Sequence, residues 1–260
     1  MPVIFKWRVT DMVELAKRWL VISPHLDDGV FSCGRLLAMT PGSIVVTVFA
    51  GIPPCGTPAP SWDQSAGFVT ANEAVRARRK EDQRALDILG AKAVWLDFFD
   101  DQYNAPCTSD DIAVRLAAVL ETYADAGVVA PFGLSHSDHV LVQDAVLKLF
   151  QREKGQRPWF FFEDALYRCT SHLVAERLSN WRAQGLLARQ VNLLGDASAG
   201  AEAKSAATRA YASQIALFKA DLLSDLHAPE SYWQLHCQRT LCRATAWRPS
   251  CSVSDVMRHK

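Results

Sequence analysis

The chain has 260 residues, 49% of them hydrophobic and 22% charged, a composition of ordinary globular proteins that excludes disordered, collagen-like and fibrous organisation. Its 28 Lys and Arg balance its 28 Asp and Glu, so the summed charge offers no long-range attraction to a nucleic-acid backbone or an anionic membrane surface. The longest apolar stretch, around Ile44 to Ile52, falls far short of the roughly 20 residues that span a bilayer, which excludes a transmembrane helix.

Lys6, Arg8, Asp11 and Glu14 interrupt the N-terminus where a signal peptide needs an unbroken apolar core. Seven cysteines without a C-x-x-C pair point to neither a disulfide framework nor a Cys-rich zinc site, and the expected location is the cytoplasm. Trp19 to Ser23 (WLVIS) reads as a buried strand that stops at Pro24 and leads into a polar loop, PHLDDG. Helical spacing follows from Val30 to Met39, then Pro41-Gly42 breaks the chain before a second buried strand, Ile44 to Ala50. Gly51 to Gly67 is a long loop holding four prolines, and loops of that length are often functional. Ala71 to Leu89 is an amphipathic helix ending at Gly90, a residue that tolerates left-handed backbone.

Ala93 to Phe98 reads as a third strand, Asp110 to Tyr123 as a helix, and Gly127 to Phe132 as a fourth strand that opens into a second polar loop, GLSHSDH. A helix over Val140 to Phe150 and a strand over Trp159 to Phe162 complete the alternation. Such an alternation predicts a single α/β, Rossmann-like domain whose mostly parallel sheet is flanked by helices, with its site at the carboxyl ends of the strands. The core spans about residues 19–169. The remainder, about 170–260, reads as an extension of one domain over 1–260, with helices over Ser171 to Gln184 and Ala201 to Ala220 and a short VNLL piece between.

Both polar loops begin where a buried strand ends, and together they bring His25, Asp27, Asp28, His136, Asp138 and His139 to one rim. Two histidines and one carboxylate match a catalytic zinc site, which keeps a position open for water. If His25, Asp28 and His139 hold the metal, Asp27 and His136 remain as an unligated carboxylate and imidazole, the pair that hydrolysis needs. Asp138 is then placed to hold the His136 imidazole in one tautomer. Taken alone, Asp-Asp after a strand is more often a helix cap than a catalytic pair; two such loops in one α/β chain argue for a site.

SPHLDDGVFSCG, VVTVFAG, R-x-x-E with LGA downstream, and SHSDH after a hydrophobic strand together resemble the LmbE/PIG-L zinc-dependent de-N-acetylases. With YASQI and the closing SYWQL, the resemblance runs from about Trp19 to Trp233. It implies that His25, Asp28 and His139 bind zinc, that Asp27 is the general base, and that His136 assists the oxyanion or the leaving group. It also implies that Arg78 reaches the pocket and binds sugar hydroxyls, and it points to Asp100 after the third strand. Leu26 departs from the proline most usual in the first signature, and Gly29 from its Glu or Ala.

Other readings accompany these. Arg78 and Glu81, on the polar side of their helix, can form a solvated salt bridge of at most about 1 kcal/mol, and Asp100 or Asp101 can serve as turn residues. Tyr103, Trp62 and Phe68 offer aromatic faces to a sugar or serve packing. Cys33 reads as core, and His172, His227, His236 and His259 lack a spaced partner.

The expected function is removal of an N-acetyl group from an amino sugar or sugar conjugate, a small-molecule substrate, with Zn2+ or another divalent transition metal as cofactor. The alternatives are a metal-dependent amidase acting on another N-acyl substrate and a nucleotide-binding transferase or dehydrogenase, the latter disfavoured by the missing G-x-G-x-x-G. A non-haem iron oxygenase shares the ligand types, and a sugar-binding protein with a dead site is a further reading. The Gly51 to Gly67 loop is expected to form one wall of the pocket and to choose what the sugar is attached to.

Overall fold

The computed structural model describes residues 16–153, 155–196 and 198–237. Lys6, Arg8, Asp11, Glu14 and His259 lie outside the described residues. Strand β1 (Trp19–Ser23) is buried at all five positions because helices cover both faces of the sheet around it. It pairs in parallel with β2 (Ile44–Thr47) on one side and β4 (Gly127–Pro131) on the other. β3 (Lys92–Trp95) continues the sheet beyond β2, and β5 (Trp159–Phe162) continues it beyond β4.

The full order is β3-β2-β1-β4-β5-β7-β6, a seven-stranded, mostly parallel sheet in a single α/β domain. After β1 the chain builds outwards through β2 and β3, then returns to place β4 on the opposite side of β1. That reversal is a topological switch point, so the loops leaving β1 and β4 lie side by side at the carboxyl rim.

Two apolar layers sandwich the sheet. One joins α1 (Asp28–Met39), α3 (Ala71–Leu89) and α7 (Ala201–Thr208) through Phe31, Leu37, Leu86 and Ala207. The other joins α4 (Ser109–Thr122), α5 (Ser137–Glu153) and α6 (Ser171–Ala183) through Ile112, Leu116, Val142, Val146 and Trp181. No helix among the described residues is long and apolar enough to cross a membrane.

The α3 boundaries match the expectation. The Thr70 side chain accepts from the Glu73 N–H at its start, and Gly90 closes it with φ 65°. Both site helices start earlier than apolar spacing predicts. α1 begins at Asp28 and α5 at Ser137, because their first turns are polar and carry no periodic apolar residue. Gly29 has a packing reason: a Cβ there would lie 3.0 Å from Val45 Cγ1 and 3.1 Å from Ser23 Cβ, so α1 could not approach the sheet as closely.

Three expectations require correction. The Gly51 to Gly67 segment is not loop throughout, since it contains a short helix, α2 (Ser61–Ser65). The single helix expected over Ala201 to Ala220 is three pieces, α7, α8 (Ala212–Ile215) and α9 (Ala220–Asp225). It breaks where Tyr211 is fully buried and donates its hydroxyl proton to Asp82 at 2.8 Å. Of the VNLL piece only Val191 is strand, the last residue of β6 (Leu186–Val191), which pairs antiparallel with β7 (Tyr232–Cys237), itself antiparallel to β5. β6 escapes a hydrophobic-run criterion because it is an edge strand, with exposed or half-buried residues after Leu186.

Candidate metal centre and catalytic site

The first loop is stitched to the strand it leaves. The Ser23 hydroxyl donates to the His25 carbonyl at 2.6 Å and accepts from the Gly29 N–H at 2.8 Å, drawing the start of α1 against β1. Asp27 stands at the N-cap position of α1, yet its side chain makes no capping hydrogen bond. The helix-cap reading therefore does not describe it, and Asp27 instead lines a cavity beside His25. Asp28, on the first turn of α1, places Oδ2 3.2 Å from His25 Nδ1 and 3.1 Å from His139 Nε2.

The second loop turns sharply after β4, with Gly133 at φ 75° and Ser135 at φ 62°. A Cβ on Gly133 would lie 2.5 Å from Gln143 Cβ and 2.8 Å from the His139 carbonyl oxygen, so glycine lets α5 fold back onto the strand end. His136 precedes the helix, and Asp138 and His139 occupy its first turn.

His139 is fully buried, and its Nδ1 lies 2.8 Å from Asp164 Oδ1. Asp164, two residues past β5, also accepts the Leu134 N–H at 3.0 Å, so one carboxylate fixes both the loop and the ring. Sequence reasoning missed Asp164. Its one signal is position, an acid at the carboxyl end of a buried strand.

The placement of Asp138 differs from expectation. Its carboxylate is directed to His25 Nε2 at 2.9 Å and accepts the Asp101 N–H at 3.1 Å, whereas its backbone N–H donates to His136 Nδ1 at 3.2 Å. Because α5 starts at Ser137, the Asp138 side chain crosses to the β1 loop rather than turning back to its neighbour in sequence. Each of the two histidines beside Asp28 thus has a carboxylate behind its other nitrogen, the arrangement that orients metal-binding imidazoles elsewhere.

His25, Asp28 and His139 fit a divalent ion by donor type and spacing. Bonds of about 2.0–2.1 Å in tetrahedral geometry require ligand separations of roughly 3.3 Å, close to those observed around Asp28 Oδ2. His139 Nε2 is buried with no hydrogen-bond partner among the described residues; it is within ion-pair reach of Asp28 but not aligned as a hydrogen bond. His25, His136 and Asp138 form a second group of possible ligands. The first set fits better, because the 2.9 Å contact from Asp138 to His25 is already a good hydrogen bond.

The electrostatics agree with a site that favours positive charge. Burial alone lowers the pKa of both histidines. For His139, the Asp28 charge and the Asp164 hydrogen bond outweigh burial and push it up to about 9. For His25, hydrogen bonds to Asp138 and Asp28 hold it well above the usual histidine value. Asp28 is held well below the ordinary range against its burial, chiefly by the charge of the adjacent His139, with His25 adding to it. Burial and the adjacent Asp28 charge push Asp27 up to about 7. Burial, helped by His25 and His139, lowers His136 and favours its neutral imidazole.

Arg78, Asp100 and Tyr103 line the same cavity as Asp27. The solvated Arg78 to Glu81 bridge is not formed, since both side chains are buried and paired elsewhere. Arg78 donates to Asp63 on α2, and Glu81 accepts from the Ser213 N–H and hydroxyl at 3.0 and 2.6 Å. Asp100 Oδ2 lies 4.0 Å from His25 Nε2 and caps a short turn by accepting from the Gln102 N–H.

The Pro-rich segment does not line this cavity directly. It stands one layer behind, with Asp63 under Arg78 and the Trp62 Nε1–H donating to Gln214, a cavity residue, at 3.0 Å. Phe68 is half-buried. Cys33 is a fully buried core residue, and His172, His227 and His236 are exposed.

Comparison with known proteins agrees with this geometry. The chain is 32% identical over 144 residues to the 2'-N-acetylparomamine deacetylase of Streptomyces fradiae, and spans about half the length of this curated relative. Among solved structures, a deacetylase triple mutant from the teicoplanin biosynthetic pathway is 25% identical, with a TM-score of 0.70 over 86% of this chain and 99% of that one. The A40926 pseudoaglycone deacetylase is 26% identical, with a TM-score of 0.68 over 85% and 98%. The family profile described as GlcNAc-PI de-N-acetylase matches residues 20–150, half of the chain and both polar loops, so the chain belongs to the PIG-L de-N-acetylase family.

Proposed function

We propose that the protein is a zinc-dependent deacetylase that releases acetate from an N-acetylated amino sugar carried on a larger small-molecule conjugate, acting in the cytoplasm as one domain over residues 1–260. The observation that carries this reading is Asp27, a carboxylate at a helix start that forgoes capping and lies in a cavity beside a set of metal-binding donors. The names of the relatives, a 2'-N-acetylparomamine deacetylase and an A40926 pseudoaglycone deacetylase, support an acetylated sugar conjugate as the substrate.

His25, Asp28 and His139 would hold the ion, with Asp138 and Asp164 fixing the two rings. Bound there, a divalent cation supplies Lewis acidity towards the amide oxygen and an acidified water. Asp27 accepts the proton of the attacking water as its oxygen bonds to the carbonyl carbon. His136 Nδ1 accepts the Asp138 N–H, which places the imidazole proton on Nε2, where it can be donated to the developing oxyanion. As the C–N bond breaks, the proton held by Asp27 passes to the departing nitrogen, giving free amine and acetate. Arg78 and Asp100, which line the same cavity, would contact the sugar hydroxyls.

The test is an assay for released acetate with zinc-loaded protein and four substrates: N-acetylglucosamine, its nucleotide diphosphate form, a lipid-linked form and an N-acetylglucosaminyl antibiotic scaffold. Release from at least one is expected. Release from none, together with cleavage of longer N-acyl chains, would replace the deacetylase reading with that of a broader amidase.

A further inference from the structure

Asp63 has no place in the chemistry above, yet it is a carboxylate without surface exposure directly behind the cavity wall. It sits on the five-residue helix α2 inside the Pro-rich segment and is fully buried. One carboxylate oxygen accepts from Arg78 Nη2, and the other accepts the Tyr103 hydroxyl proton at 2.7 Å. Three separate stretches of chain meet at this residue: α2, the middle of α3 and the turn after β3. Arg78 and Tyr103 both line the cavity that holds Asp27, whereas Asp63 does not.

We infer that Asp63 is a positioning residue that sets the hydrogen-bond polarity of the sugar-facing wall, holding the donor Arg78 in place and making Tyr103 an acceptor for one substrate hydroxyl. The inference rests on the sugar-deacetylase reading. A carboxylate can only accept, so the Tyr103 proton must point to Asp63 and the phenolic oxygen keeps its lone pairs for the cavity. A guanidinium can only donate, so Arg78, which lines the cavity, offers it N–H groups alone. A donor beside an acceptor complements a hydroxyl, which does both, and discriminates against an analogue lacking that hydroxyl because the buried wall is then left unpaired.

Asp63→Asn is a sharp probe because it keeps the shape and changes the polarity. Arg78 still requires an acceptor, so the amide oxygen faces Arg78 and the amide NH2 faces Tyr103. Tyr103 then accepts from the amide, and its own proton turns towards the cavity. The wall becomes donor beside donor. Tyr103→Phe removes the acceptor altogether while leaving the Arg78 to Asp63 pair in place.

The experiment measures binding of glucosamine and its 3-deoxy, 4-deoxy and 6-deoxy analogues to the metal-loaded full chain by calorimetric titration. These amines are products, so turnover does not consume them. Acetate release from N-acetylglucosamine and the antibiotic scaffold is followed in parallel. Wild type is expected to prefer glucosamine over one deoxy analogue by at least about tenfold. In Asp63→Asn and in Tyr103→Phe that one ratio should fall towards unity, with metal content unchanged and KM rising more than kcat falls.

A ratio retained in both metal-loaded variants, a wild type indifferent to every deoxy analogue, or a wild type that binds no amino sugar would overturn the inference. If Asp63→Asn does not fold, Tyr103→Phe alone decides, since it leaves the buried ion pair intact. Binding with the expected discrimination but no acetate release from any substrate would count against the deacetylase reading and leave this inference standing.

Discussion

The two histidines beside Asp28 are built alike and buried differently. His139 and its partner Asp164 are sealed, with side chains 1% exposed, and the same carboxylate also holds the Leu134 N–H. His25 faces the cavity with its side chain 19% exposed, and its partner Asp138 stands behind it at 6%. In the proposed metal centre the sealed pair would be the anchor, and His25 would stand on the side that substrate approaches. A carboxylate behind a buried imidazole has no water to replace it, so its loss costs more than the loss of one at the rim.

That contrast orders the expected effects. His139→Ala should abolish metal retention, since it removes a ligand and takes the buried imidazole away from both Asp28 and Asp164; elemental analysis after dialysis checks this. Asp164→Asn should weaken metal affinity towards the upper end of the roughly 10- to 100-fold range seen for outer-shell partners, and should lower thermal stability. Asp138→Asn should fall at the lower end of that range and leave stability nearly unchanged, because solvent can reach its partner. Equal losses in Asp164→Asn and Asp138→Asn, read by competition with a chelating dye, would erase the distinction between anchor and rim.

A smaller, graded effect follows from protonation. The metal-free pKa of His139 is raised from 6.5 to about 9, so its interactions contribute stability that is fully present below about 6.5 and lost as pH rises through 9. An incoming ion must displace that proton and the one held on His25, so metal affinity should increase with pH through the range up to about 9. Asp164→Asn should make that increase shallower. Chelator competition at a series of pH values checks both. The acid limb of kcat/KM should lie below 7, because a cation on Asp28 offsets the repulsion that holds Asp27 up to about 7 in the metal-free protein.

The positions of the two polar loops were legible because buried parallel strands are nearly continuous apolar runs, and their ends mark the rim where ligands bind. Residues with a spaced partner in sequence, such as His136 and His139, could therefore be found. Asp164 and Asp63 could not, since each acts through a neighbour distant in the chain, and a lone acid after a strand or in a loop carries no spacing signal. The partner of Asp138 was misjudged for a related reason. Closeness in sequence favours His136, whereas the helix start at Ser137 aims the side chain at His25. β6 is obscured by its edge exposure, and the segment after Thr208 by the buried Tyr211 that interrupts it.

The central claim is that Asp27, free of capping duty, moves a proton beside a metal held by its neighbour Asp28. Asp27→Asn keeps the volume and removes the basicity, so metal content and turnover of the same preparation test the claim together. The expected result is one ion per chain, as in wild type, with acetate release reduced by about 10²- to 10⁴-fold. An unaltered rate, or a protein that no longer holds its ion, would contradict it.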